Sequence, residues 1–124
     1  MKLSDLLALS LMLVWGCAMD LNTRDSELSF GESALLVDVR TIEEFESGHI
    51  EGAKHMPYQE IGVRIGELTD DTSREILLYC RSGRRSGVAQ KTLAGMGFEN
   101  AVNAGGYEDL RAHLAGRRAR RAGR

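Results

Sequence analysis

One cysteine, Cys80, is followed within five residues by Arg81, Arg84 and Arg85, with Ser82 and Gly83 among them and Ser86 next. A thiol becomes a strong nucleophile only as a thiolate, and neighbouring positive charge favours that form. The run "EILLYC" (75–80) is short and continuously apolar, which predicts a buried strand ending on the cysteine. From Ser86 to Met96, Val88, Ala89, Leu93 and Met96 keep helical spacing, and Gly97 suits the stop. Cys80 is therefore expected between a strand's carboxyl end and a helix N-terminus. Successive N–H groups of residues 81–86 turned inward would form an anion-binding nest, reinforced by the helix dipole. Gly83 permits the turn such a nest needs. The chemistry expected is covalent, at sulfur, with a cradle able to hold an anionic product. Three arginines on one short loop argue against a cysteine serving packing alone.

Loop length separates two chemistries. A loop that grips tetrahedral phosphate has the spacing C-x5-R, and here that position is Ser86, while Arg85 falls at C-x4-R. The cradle is one residue short for phosphate and suits a single extra sulfur on Cys80, a persulfide.

The surrounding elements must position this loop. "ALLVDVR" (34–40) reads as a second buried strand. Thr41 and Glu44 form a capping box opening a short helix that Ser47-Gly48 stops. "GAKHMP" (52–57) predicts another short strand, and apolar residues at 61, 65 and 68 predict a helix over 60–68. "NAVNAGG" (100–106) is expected as a fourth strand, and Tyr107–Leu114 as a closing helix. Strands alternating with helices imply the α/β class: a single domain with a small parallel sheet flanked by helices on both faces. Ligands of such sheets sit at the carboxyl ends of the strands, where Cys80 falls.

Composition excludes several classes. At 124 residues, 43% apolar and 27% charged, the chain is sized and composed for one globular domain. Two cysteines, Cys17 and Cys80, make no disulfide framework, and without a C-x-x-C pair or clustered histidines no metal site or cofactor is expected. Of the net charge of −2, the last nine residues carry five arginines, leaving −7 on the preceding 115. Residues 116–124 are expected to be a solvated, frayed basic tail. No basic, aromatic-interleaved face elsewhere points to nucleic acid.

The N-terminus reads as an address. Lys2 precedes an apolar run from Leu6 to Trp15, the length of a signal-peptide core and about half a membrane span. Gly16-Cys17-Ala18 fits a small-residue cleavage site, and Leu13-Val14-Trp15-Gly16-Cys17 resembles a lipobox that would anchor the chain through a lipidated Cys17. Both outcomes stand, with a periplasmic location implied. The alternative is a packed N-terminal helix of a cytoplasmic protein. Residues 1–18 are thus expected as a leader, 19–33 as a linker and 34–115 as the domain.

Four ordered motifs carry a family resemblance. Cys80-Arg81-Ser82-Gly83-Arg84-Arg85-Ser86 resembles the active loop of the rhodanese (thiosulfate sulfurtransferase) family. Asp38-Val39-Arg40, His49-Ile50-Glu51-Gly52-Ala53 with Pro57, and Asn103-Ala104-Gly105-Gly106 resemble its other motifs. The family's opening strand and helix are not evident in 19–33. The resemblance implies that Cys80 takes a sulfur from an anionic donor, that N–H groups of 81–86 stabilise the persulfide, and that Arg81, Arg84 or Arg85 attracts the donor. It implies a thiol or cyanide as acceptor. Asp38 and Arg40 would position the loop, or form an ion pair serving stability alone. His49 is expected to brace a loop or lie on the surface rather than act as a base, and His55 and His113 carry no assigned role. Competing readings are a persulfide-binding partner module with little turnover, and a phosphatase or arsenate reductase on the same fold. The donor, the acceptor and the oligomeric state are not readable.

Overall fold

The computed structural model describes residues 31 and 33–123. The expectations for a leader over 1–18 and a linker over 19–33, including the question of an opening strand and helix, lie outside them but for residues 31 and 33. Four strands form one parallel sheet: β1 (Leu35–Asp38), β2 (Lys54–His55), β3 (Ile76–Cys80) and β4 (Ala101–Gly106), in the order β2-β1-β3-β4. Between and after them run α1 (Ile42–Ser47), α2 (Ile61–Arg64) with a 3-10 turn over Ile65–Glu67, α3 (Arg84–Gly95) and α4 (Tyr107–Ala122).

Alternation along the strands assigns each helix its face. Leu35 and Val37 of β1, with Ile76, Leu78 and Cys80 of β3, pack against Ile61 and Ile65 around α2 and Ala89 and Leu93 of α3. Leu36 and Tyr79 face the other way, against Phe45 of α1 and Leu110 and Leu114 of α4. β3 is buried at every residue, as a central parallel strand must be.

Three expectations change in detail. β2 is only two residues long; beyond it Met56 and Tyr58 donate to the carbonyls of Asp38, at the end of β1, and Val39, just past it, as the chain turns through Pro57. α3 begins two residues before Ser86, because Gly83 as its N-cap takes a φ of 98°, which turns the chain straight from the loop into the helix. The closing helix does not stop at Leu114, and the tail is not frayed there. α4 runs through the arginines to Ala122, with Glu108 and Asp109 in its first turn and Arg120 and Arg121 in its last. Alanine and arginine are good helix formers, and that order of charges matches the helix dipole. Among the described residues no helix is long and apolar enough to cross a membrane.

Candidate active site

Cys80 ends β3 with its side chain buried. The left-handed turn at Gly83 brings its own N–H to 3.0 Å from the sulfur. The hydroxyl of Ser86, fully buried in the first turn of α3, lies 3.5 Å from the same atom. Burial opposes ionisation of the thiol. The Ser86 hydroxyl and the N–H groups of Ser86, Ser82 and Gly83 outweigh it, and hold the thiol at about 7 rather than its ordinary 9.0. Hydrogen-bond donors, more than guanidinium charge, make the thiolate.

The arginines divide into two kinds. Arg85 is held by a two-pronged pair to Glu44 of α1, at 2.8 and 3.1 Å, and its charge also meets that of the Cys80 sulfur. Arg85 pulls the Glu44 carboxyl down to about 2, and bonds from Thr41, the residue Glu44 caps, add to the effect. Arg81 and Arg84 are exposed and form no ion pair among the described residues. They are the two cations of the loop that stay open to solvent.

Asp38 and Arg40 form a second charged cluster, whose Arg40 also feels the charges of Glu44 and Arg85. Asp38 is fully buried, and Arg40 binds its carboxylate through Nε and Nη2, the latter at 2.6 Å. Nη2 also donates to the Gly48 carbonyl at 2.7 Å, and the guanidinium lies over the Tyr107 ring at 4.6 Å. The pair ties β1 to the end of α1 and the start of α4. His49 stacks on Phe45 at 3.7 Å and its Nδ1–H donates to the Phe45 carbonyl, bracing α1. His55 donates through Nε2 to the Arg40 carbonyl at 2.8 Å.

Three further residues hold the loop, and sequence shows none of their contacts with it. Asn103 of β4 donates through Nδ2 to the Gly83 carbonyl and accepts from Ser86 and from the Gly105 N–H. Gly106 lies so close to the loop that a Cβ there would stand 2.6 Å from the Arg81 carbonyl oxygen. Glu44, visible only as a capping residue, is the partner of Arg85. The motif Asn103-Ala104-Gly105-Gly106 marked two of these positions without indicating what they touch.

A buried sulfur ringed by converging donors, at the carboxyl end of a central parallel strand, defines an α/β domain with a readily ionised thiol at the sheet edge where such folds bind ligands. The chain belongs to the rhodanese-like domain family, which it matches over residues 25–113. It is 36% identical over 74 residues to the thiosulfate sulfurtransferase PspE of Escherichia coli (strain K12), covering 60% of this chain and 71% of that protein. It is 35% identical over 89 residues to the thiosulfate sulfurtransferase GlpE of Pseudomonas putida, covering 69% of this chain and 77% of that one. Among solved structures it is similar to a rhodanese with anions from E. coli, with a TM-score of 0.60 and 36% identity over 61% of this chain and 89% of that chain.

Proposed function

We propose that this protein is a sulfurtransferase that carries sulfur as a persulfide on Cys80. The thiolate attacks the outer sulfur of thiosulfate, the S–S bond of the donor breaks, and sulfite leaves with the bonding electron pair. The outer sulfur of the persulfide then passes to a thiophilic acceptor, cyanide or a thiol, and Cys80 returns as thiolate. No outside oxidant is needed. The observation that carries this reading is the cradle itself: one sulfur receiving a hydroxyl and the N–H groups of Ser82, Gly83 and Ser86, which hold its thiol at about 7. Such preorganised donors stabilise charge as it forms on the outer sulfur. The names of the relatives support the same class of reaction, and exposed Arg81 and Arg84 suit an anionic donor.

The test is the Cys80→Ser protein. A hydroxyl is far less ionised near neutral pH than this thiol, so thiosulfate-dependent thiocyanate formation should disappear while the thermal melt stays cooperative. Incubating the parent with thiosulfate should add the mass of one sulfur atom to the peptide carrying Cys80. Substantial transfer by the serine protein would remove Cys80 as the carrier.

Export to the periplasm is part of the proposal, supported by the apolar run Leu6–Trp15 and the small residues Gly16-Cys17-Ala18. Cell fractionation with N-terminal mass analysis decides it, and also separates cleavage from lipidation at Cys17. An intact Met1 on cytosolic protein would refute export.

A further inference from the structure

The Ser86 hydroxyl lies between two acceptors. Its Oγ is 2.6 Å from Asn103 Oδ1 and 3.5 Å from Cys80 Sγ. The orientation of Asn103 follows from its other bonds. Nδ2 donates to the Gly83 carbonyl at 2.9 Å, so the remaining atom is the amide oxygen, which also accepts from the Gly105 N–H at 3.0 Å. An amide oxygen has no proton to give, so the proton in the 2.6 Å contact is that of Ser86. A hydroxyl has only one proton, and it cannot serve both acceptors at full strength.

We infer that Asn103 is a positioning residue that competes with the Cys80 sulfur for the Ser86 hydroxyl proton, and thereby sets how readily Cys80 ionises. With Cys80 as a thiol, the Ser86 hydroxyl points to Asn103, and its lone pair is open to the S–H. When the sulfur loses its proton to solvent, the hydroxyl turns toward the sulfur and gives up Asn103. Ionisation therefore carries the loss of one short neutral hydrogen bond. Asn103 tempers a cradle that would otherwise favour the thiolate more strongly.

The place of Asn103 in the sheet is what makes this competition possible. It pairs with Leu78 on β3, and directly after it the ladder shifts, so that Tyr79 faces Gly105 and Cys80 faces Gly106. The same strand thus delivers an acceptor to Ser86 and a close-packed glycine to the loop. β4 brings no titratable group to the sulfur. From α3 comes Arg85, already paired with Glu44 of α1, and the charge of Arg40, itself paired with Asp38, reaches Arg85. Tyr58, after β2, packs on the same apolar cluster as Cys80. Substituting Asn103 leaves all of these in place.

This inference rests on the reading of Cys80 as the reacting sulfur, and its test reads the sulfur directly. The thiolate absorbance of the full chain is titrated against pH, as the difference from a matching Cys80→Ser protein, which removes the contributions of Cys17 and the tyrosines. Asn103→Ala should lower the midpoint by about half a unit to one unit, the size of a neutral hydrogen bond removed from the ionisation step. In a Ser86→Ala background the same substitution should leave the midpoint unmoved, because the contested proton is gone. Asn103→Leu, which keeps the branching and lacks the acceptor, repeats the measurement should the alanine protein melt early. An unchanged or raised midpoint, or an equal shift in both backgrounds, would make Asn103 a loop brace only and overturn the inference. Thiosulfate-to-cyanide transfer is assayed in parallel. If the parent transferred no sulfur, the proposed function would fall, while the titration would still decide the role of Asn103.

Discussion

At the scale of single residues, reactivity rests on how one thiol loses its proton. A sulfur buried at a strand end should resist ionisation, yet four donors turn the balance the other way. Sulfur transfer should therefore follow the thiolate fraction. Initial rates at low thiosulfate should climb about tenfold per pH unit below a midpoint near about 7, then level off. A profile still rising at the ordinary thiol value of 9.0 would mean that the donors do not act on the reacting sulfur. The same shift bears on stability. The folded thiol ionises more readily than the unfolded one, so its contribution is complete above about 9 and is lost as pH falls through about 7. Relative to Cys80→Ser, the parent should gain stability as pH rises through that window.

At the scale of elements, the loop is held from two sides: by α1 through Glu44 and Arg85, and by β4 through Asn103 and Gly106. The approach of Gly106 to the Arg81 carbonyl is backbone against backbone and cannot be relieved by a rotamer change. Gly106→Ala should push the loop aside, costing about 1–3 kcal/mol of stability by overpacking. A displacement of about 1 Å should lower sulfur transfer on the order of a hundredfold. Denaturant melts and thiocyanate assays on one preparation check both. Loop length is the second determinant at this scale. One glycine inserted after Gly83 moves Arg85 to the phosphate-gripping position and widens the ring of donors. Sulfur transfer should again fall on the order of a hundredfold, with aryl phosphate hydrolysis as the companion assay. A folded insertion protein working at the parent rate would show that ring size does not select for sulfur.

At the scale of the whole molecule, the second charged cluster has a different task from the first. Asp38 and Arg40 are buried together where β1, α1 and α4 meet, and Arg40 also satisfies the carbonyl that ends α1. Arg40→Met keeps much of the packing volume but leaves the Asp38 carboxylate buried without its partner, which should cost about 3–5 kcal/mol. Pairing it with Asp38→Leu should recover much of that loss, because no charge is then stranded. Chemical denaturation of the two proteins tests this. If Arg40→Met melted like the parent, the pair would not be what joins these three elements.

How much of this was legible in the chain depends on the range of each interaction. The buried strands at 34–40 and 75–80, the capping box at Thr41 and Glu44, and the turn at Gly83 all follow from neighbours within a few residues. Their physics is local: periodicity, capping geometry and the conformational freedom of one glycine. The nucleophile and its spacing to Arg85 were equally local, which is why the family could be recognised from them. The continuation of α4 past Leu114 lies within reach of the same local rules, although so dense a run of arginines equally suits a solvated tail. The remaining features required the sheet. Arg85 meets a glutamate 41 residues away, and Ser86 meets an asparagine 17 residues away. Neither contact exists until the order β2-β1-β3-β4 sets β4 beside β3, with α1 on the opposite face from α3. The sequence by itself determined that a thiolate would form in a loop of donors. Only the tertiary structure decided which arginine is held and which are open, and that an asparagine shares the proton, because those are matters of distance across strands rather than along the chain.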